Sequence, residues 1–458
     1  MNVKKLLYIL AFTLILSSMS ATMFNIVLPK MGEEFGLSYS QVSWVSAIYL
    51  LVYAIGSVVY GKLADLIKLK NLMTFGLVLF SIGSLIGLIS QDYWMVIIAR
   101  VLQASGAAVI PASAMIVPAR YIPAERRGWA LGITASGLAI GNALGPIVSA
   151  LLVSFAHWRW LFFLPLLLVF TLPLYRKYLG DEQGDGGKLD WIGGGLLAGT
   201  VASLMLAITF SDWRAAVLAA VFLLLFLFRI SKADTPFVNP ALFRNSRFSL
   251  SLTIAFVVMA ISYSLPFLTP QLLADVHRLS PNLIGFAMVP GAAVAAILGR
   301  KAGRLADSRG NNALFSLAGG LLVTYFLLLS FFAGLPPVLV ALFLVFGNVG
   351  QIFMQIAVSN TIAGTLPKEQ MGIGMGLFSM VNFISGAVAT GVYGKAIDQG
   401  ATFRLNPFYD YADSYVYSNL YTLLAFVVLG VWTIYWLCFR SGAPISPSAK
   451  NVKKQAAS

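Results

Sequence analysis

Apolar runs close to twenty residues long fill most of this chain, and the short stretches between them carry nearly all of its charge. A helix of roughly 20 residues crosses a hydrocarbon core of about 30 Å. Without water to satisfy the backbone, helices and closed barrels are the only spanning structures, and unbroken apolar runs select helices. Fourteen spans are predicted: 6–29, 41–61, 72–90, 95–118, 129–153, 158–175, 191–210, 213–230, 248–272, 282–302, 313–334, 336–361, 372–397 and 420–440. The first follows Lys4 and Lys5 as a signal peptide would, yet no small-residue cleavage site and soluble domain come after it, so it reads as a retained helix.

With 59% hydrophobic and 10% charged residues among 458, and a mean hydropathy of +0.84, the composition is that of an integral membrane protein. A net charge of +14 would suit a nucleic-acid partner, but the placement of the charges argues against one. With the N-terminus inside, only Lys30, Arg159, Arg214, Arg278, Lys395 and Arg404 fall in outer loops, and Arg100 falls within a span. The inner loops and tails hold the rest, among them Lys62, Lys68, Lys70, Arg120, Arg126, Arg127, Arg176, Lys177, Arg300, Lys301 and Arg309. This positive-inside asymmetry predicts a cell-membrane protein with both termini cytoplasmic, and it accounts for the charge without nucleic acid. The single cysteine, Cys438, excludes an internal disulfide and a cysteine-built metal site. His157 and His277 lie in separate outer loops and read as loop residues rather than metal ligands, so neither metal nor cofactor is expected. No His-Glu metal pair within a span, Gly-x-Ser-x-Gly or Walker loop marks an enzyme.

The chain repeats itself. Leu37–Asp65 reads LSYSQVSWVSAIYLLVYAIGSVVYGKLAD and Leu279–Asp307 reads LSPNLIGFAMVPGAAVAAILGRKAGRLAD. Each opens on Leu-Ser, crosses once and closes on Gly-basic-Leu-Ala-Asp, at Gly61–Asp65 and Gly303–Asp307, with the same offset at both landmarks. The loop ARYIPAERRG at Ala119–Gly128 is echoed by AGTLPKEQMG at Ala363–Gly372, at nearly that offset. Matched landmarks in the same order imply duplication. The predicted fold is an all-α membrane protein of fourteen transmembrane helices. Two pseudo-symmetric six-helix bundles, residues 1–178 and 241–458 with a cytoplasmic tail, flank a linker and two inserted helices at 179–240. The polar stretch GDEQGDGGKLD, residues 180–190, supplies that linker.

Two six-helix halves with Gly-x-Leu-Ala-Asp between spans 2 and 3 resemble the major facilitator superfamily. The stretch GITASGLAIGNALGP adds the spacing Gly132, Gly141, Gly145-Pro146, similar to the fifth-helix motif of its antiporter branches. Fourteen spans resemble the fourteen-helix drug:proton antiporters. ARYIPAERRG, DTPFVNPALFRN, ADVHRLS and SYVYSNL are similar to the Gram-positive tetracycline exporters among them. The residues themselves place Gly137, Gly141 and Gly145 on one helical face, where small side chains allow close helix packing. The resemblance implies that this helix packs against its counterpart in the other half, with Gly132, Gly141, Gly145 and Pro146 forming a gating helix; generic small-residue packing is the alternative. It also implies a conformational latch at Gly61 and Asp65, repeated at Gly303, Asp307, Arg309 and Gly310. Leu66 and Lys68 depart from that pattern, and a capping role for Asp65 is the plainer reading.

Arg100 is the one basic residue well inside a span, and a charge at that depth costs about 2.5–3.5 kcal/mol on insertion scales, which marks it for function. The resemblance implies a coupling role in proton exchange. Gln103, Asn25 or Asn142 are candidate partners, and snorkelling to the outer boundary is the alternative. All seventeen Asp and Glu residues fall in loops or at helix ends. The resemblance implies acids in the first, fifth and thirteenth helices, where this chain has Ala21, Asn142 and Gly386. That departure leaves three expectations open: coupling through end-of-helix acids such as Asp398 or Asp212, an uncoupled carrier of a lipid or metabolite, or an anionic cargo countered by Arg100.

Polar and aromatic residues within spans outline a substrate cavity: Asn25, Trp44, Tyr49, Tyr53, Gln103, Asn142, Asn348, Gln351, Gln355 and Asn382, with Ser17, Ser18, Ser20 and Thr22 beside them. Gln351 and Gln355, one turn apart, share a face. Aromatic walls with sparse hydrogen-bonding groups suit a small amphipathic compound. The expectation is therefore a monomeric exporter of such a compound, with protons as a candidate partner and membrane lipid as its surroundings.

Overall fold

The computed structural model describes residues 3–122, 127–180, 190–366, 371–409, 411 and 414–439. Every regular element among them is helical. The long helices are α1 (Lys4–Ile26), α2 (Tyr39–Ala64), α3 (Leu69–Leu88), α4 (Tyr93–Pro118), α5 (Arg127–Phe155), α6 (Trp158–Tyr178), α7 (Trp191–Phe210), α8 (Trp213–Lys232), α9 (Ser246–Asp275), α10 (Pro281–Arg309), α11 (Asn311–Phe332), α12 (Pro337–Gly364), α13 (Met371–Gln399) and α14 (Tyr415–Phe439). Among the described residues thirteen helices are long and apolar enough to cross a membrane, and α5 contributes the shorter apolar stretch Ile140–Phe155. Most of the predicted linker, 181–189, lies outside the described residues.

Polar punctuation sets the helix ends. Asp92, Asp190, Asp212 and Asn245 each accept backbone N–H groups at the start of α4, α7, α8 and α9, the standard use of a short polar side chain at a helix N-terminus. Asp190 also binds Arg229 of α8 at 3.0 Å and the Phe237 N–H, tying the inserted pair to the strand of chain that leads into α9. Prolines cause the interior breaks. Pro111 and Pro266 lack the N–H that would bond the carbonyl four residues back, and α4 is interrupted after Ala107 and α9 after Ser262. The first predicted span differs from the observed one for the same reason. α1 tightens to 3-10 geometry at Met23–Ile26, and the chain restarts as a short helix, Leu28–Phe35, with Pro29 in its first turn. The last span begins earlier than predicted because the polar residues Tyr417, Ser418 and Asn419 belong to the first turns of α14.

Helices α1 to α6 pack on one another, as do α9 to α14, while α7 and α8 pair with each other and α7 leans on both α2 and α13. The two groups meet along α2 with α13 and α5 with α10. A small apolar cluster fills the first contact and reaches α7, joining Ala47, Leu50 and Leu51 to Ala387, Val201 and Met205. The end reached by the C-terminus of α1, here the distal end, carries further links. There Glu34 accepts the Trp158 indole N–H at 2.5 Å and pairs with Arg159 at 2.8 Å. Burial alone would raise its pKa, but the hydrogen bonds from Trp158 and Arg159, with the nearby positive charge, leave it below the ordinary glutamate value. His157 lies 3.4 Å from Glu34 in the same cluster, and His277 meets the Ala333 carbonyl at 2.8 Å.

Candidate functional site

Between the two groups, at mid-helix depth, lies a cavity of about 190 Å³. Its walls come from α1, α2 and α5 on one side and α9, α10, α12 and α13 on the other. Five amides, those of Asn142, Asn348, Gln351, Gln355 and Asn382, line it together with the rings of Tyr53, Tyr263 and Phe383. Asn25 also reaches it, with its Oδ1 accepting from the Ser46 hydroxyl at 2.6 Å. Among the described residues no Asp, Glu, Lys, Arg or His lines this space. Of the positions singled out for their missing acids, Ala21 and Asn142 are wall residues, while Gly386 backs onto Tyr263 closely enough that a Cβ there would lie 2.5 Å from the ring.

Seven of the ten cavity residues expected from the sequence thus line it, and three do not. Trp44 turns its indole to the Thr209 hydroxyl on α7 at 2.9 Å. Tyr49 and Gln103 serve Arg100 instead. Arg100 is fully buried and does not snorkel. Its Nε donates to the Val45 carbonyl at 2.9 Å, and its Nη1 to the Ser20 carbonyl at 3.1 Å and to Gln103 Oε1 at 3.2 Å. Gln103 is held in turn by its Nε2 donating to Ser84 at 2.8 Å. The guanidinium lies 4.0 Å from the Tyr49 ring centre and 4.5 Å from that of Phe24, so ring quadrupoles and carbonyl dipoles replace a counter-ion. Among the described residues no carboxylate lies within ion-pair distance of Arg100, and its Nη2 has no hydrogen-bond partner. Asn25 and Asn142, the other candidate partners, do not bond it. Arg100 therefore knots α1, α2 and α4 together behind the cavity wall.

The glycine face of α5 is turned differently from the expectation. A Cβ on Gly141 would overlap Ser18 and the Ile15 carbonyl, one on Gly145 would overlap Thr22, and one on Gly137 would sit 2.7 Å from the Ala11 carbonyl. All four of these neighbours belong to α1, in the same group. Across the seam α5 meets α10 rather than α13, the counterpart expected from the sequence repeat, using Ala150 and the Pro146 carbonyl against Gly285. Pro146 lies inside a continuous helix, and its missing N–H frees the carbonyl of Asn142 beside the cavity. Among the expected latch residues, a Cβ on Gly61 or Gly303 would meet nothing within 4 Å, so packing does not demand glycine at either. Gly310, at φ +85°, makes the turn from α10 to α11, with the exposed Arg309 in the turn before it. The side chains of Asp65 and Asp307 and the surroundings of Gly132 lie outside the described residues.

The cavity residues that sequence reasoning missed come mainly from α9 and α10: Ser262, Tyr263, Met288 and Ala292. A signal existed. Ser262-Tyr263-Ser264 interrupts an apolar span, and under the repeat that span corresponds to α1, whose own polar residues were selected.

A polytopic helical protein whose two packed groups enclose an uncharged cavity at mid-depth has the build of a secondary carrier. The model of the Major Facilitator Superfamily matches residues 10–390, and the chain belongs to that family of membrane transporters; it is not an enzyme. Over 432 residues it is 26% identical to the riboflavin transporter RibZ of Clostridioides difficile (strain 630), covering 90% of this chain and 92% of that one. It is 32% identical over 303 residues to the putative multidrug resistance protein MdtD of Salmonella typhi, covering 63% of this chain and 64% of that one. Among solved structures, a POT family transporter in complex with 5-aminolevulinic acid superposes with a TM-score of 0.70 at 15% identity, covering 95% and 96% of the two chains.

Proposed function

We propose that this chain is an alternating-access exporter of an uncharged amphipathic, drug-like compound, driven by proton antiport. The observation that carries the reading is the cavity, where amides and aromatic rings face each other with no ionisable side chain among the described lining residues. Similarity to multidrug resistance proteins supports export. The architecture we infer is the fourteen-helix one, with α5 as a span, bundles at 1–178 and 241–458, and the inserted pair at 179–240. Contacts of α2 with α13 and of α5 with α10 support a duplication, because a twofold that exchanges α2 with α10 and α5 with α13 exchanges those two seams. We place it in the cell membrane as a monomer, with cytoplasmic termini, Arg100 in coupling, and the Gly61–Asp65 and Gly303–Gly310 segments as the inner latch. Tetracycline belongs in the substrate panel on the strength of the motifs alone.

A second reading, a carrier for a metabolite without proton coupling, is favoured by the absence of acids at positions 21, 142 and 386 and by similarity to a riboflavin transporter. Inverted vesicles loaded with a fluorescent pH probe separate the two. Proton release that tracks a drug-like substrate and vanishes in Arg100→Ala supports antiport. Transport that continues unchanged when the pH gradient is collapsed eliminates it. For the latch, Asp65→Asn is expected to slow turnover more than it lowers expression; an equal loss of both identifies Asp65 as a cap.

A further inference from the structure

At the distal end α2 begins with a capping box in which Ser38 and Gln41 satisfy one another, leaving the N–H groups of Tyr39 and Ser40 for another partner. That partner comes from the opposite group. Asp398, in the last turn of α13, accepts the Tyr39 N–H at 2.6 Å and the Ser40 N–H at 2.9 Å. Gly394, one turn earlier, permits the approach, since a Cβ there would sit 2.8 Å from the Tyr39 carbonyl. Meanwhile the Tyr39 hydroxyl donates to Asp275 at the end of α9, and the other oxygen of Asp275 accepts the hydroxyl of Tyr417 on α14. Tyr417 is buried, whereas Asp275 is half-buried and Asp398 exposed, so protons from solution reach both acids.

Every donor on these two carboxylates is neutral. Among the described residues neither acid forms an ion pair. Among the described residues the other charged groups near the Tyr39 hydroxyl are Glu33, on the short helix after α1, and Arg278, in the loop after α9. Lys395, on the same helix as Asp398, is turned to the Thr209 carbonyl at 3.1 Å. The hold on the first turn of α2 therefore depends on the charge state of the two acids themselves.

We propose that Asp275 and Asp398 form a proton-operated latch on the outer end of the transporter. Ionised, the two acids clamp α2 to α9, α13 and α14 and keep that end shut. When a carboxylate of Asp275 binds a proton from the external solution, one acceptor oxygen becomes a donor and the charge is lost. Charge-assisted hydrogen bonds are roughly twice as strong as neutral ones, so both phenol links weaken together. At Asp398 the same step removes a negative charge from the N-terminal end of α2, where the helix dipole favours it. Acidity outside thus releases α2 and shifts the population toward the outward-open form. The proposal rests on the carrier reading and its topology, and its test reads conformation instead of transport, so the two fail separately.

Spin labels on Gln91→Cys and Thr402→Cys, one per group, in full-length Cys438→Ala protein in lipid nanodiscs, report the spacing of the outer ends. Lowering the pH from about 7 to about 4, toward the ordinary carboxylate range, is expected to increase a longer-distance population several-fold. Asp275→Asn should show that population already at the higher pH, with a flattened response. Tyr39→Phe, which keeps both acids and deletes one donor, should lie between them and also provides the test if the Asn variant fails to fold. A distance distribution that ignores pH, or a parent-like pH response in either variant, overturns the latch.

Discussion

The rings of Tyr53 on α2 and Phe383 on α13 meet in a T at 4.8 Å, across the seam between the two helix groups and at the wall of the cavity. Tyr53 stacks in turn on Tyr49 at 5.7 Å, and Tyr49 lies over Arg100, so a continuous aromatic path joins the cavity wall to the buried cation. Edge-to-face pairs contribute ~0.5–1.5 kcal/mol beyond the area they bury. Phe383→Leu keeps apolar volume and deletes the ring. The expected outcome is a rise in KM of up to about tenfold with kcat and thermal stability little changed. A fall in Tm at constant KM identifies Phe383 as seam packing with no part in the substrate wall.

Glycine substitutions separate contact from motif. Gly141 touches the backbone of α1, where a methyl group has nowhere to go, whereas Gly61 faces open space. Overpacking a close helix contact costs about 1–3 kcal/mol. Gly141→Ala is accordingly expected to lower Tm by several degrees and to reduce the yield of folded protein, with Gly61→Ala neutral in stability. Differential scanning fluorimetry in detergent checks both. Should Gly61→Ala still slow transport at full stability, that glycine serves the moving state and not the packing seen here.

The helical membrane fold was legible in the chain because a membrane imposes a one-dimensional signal: the length of an apolar run survives without any knowledge of packing. The cavity was legible to the extent that an amide within an apolar span has few places to go, and Asn142, Asn348, Gln351, Gln355 and Asn382 all reach it. What could not be read was direction around the helix axis. Tyr49 and Tyr53 are one turn apart on α2, yet Tyr49 covers Arg100 and Tyr53 faces the cavity. Likewise the spacing of Gly137, Gly141 and Gly145 fixes a shared face without saying which neighbour it meets, and the neighbour is α1. Asp275 read as an ordinary loop-end acid and Asp398 only as an end-of-helix candidate for coupling, because the partners of the pair, Tyr39, Ser40 and Tyr417, are remote in sequence.

The Glu34 cluster makes stability pH-dependent at the distal end. Trp158 and Arg159 hold this carboxylate below its ordinary range, so the folded protein binds the proton more weakly than the unfolded chain. Its contribution is therefore complete above the ordinary glutamate pKa and is lost as the pH falls through the lower folded value. Between about pH 5 and about pH 3 the parent should lose more of its Tm than Glu34→Gln does. Parallel curves for the two proteins refute the assignment.

Arg100 distinguishes a structural knot from a coupling group, because the two roles respond differently to removal of charge. Hydrogen bonds to a charged group are each worth about 1.5–3 kcal/mol, and the planar guanidinium makes three of them while lying against two rings. In Arg100→Lys a compact ammonium keeps the charge but cannot reproduce the fork that reaches Val45 and Ser20 together with Gln103. Arg100→Met loses the bonds along with the charge that required them, and its flexible thioether suits the aromatic surroundings. The expected order of Tm is parent, then Met, then Lys, since an unsatisfied buried charge costs more than an apolar replacement. Proton release with substrate should be absent from the Met variant even where its fold is intact. A Met variant that is well folded and still releases protons with each substrate assigns Arg100 to architecture alone, and the coupling group must then be sought elsewhere in the chain.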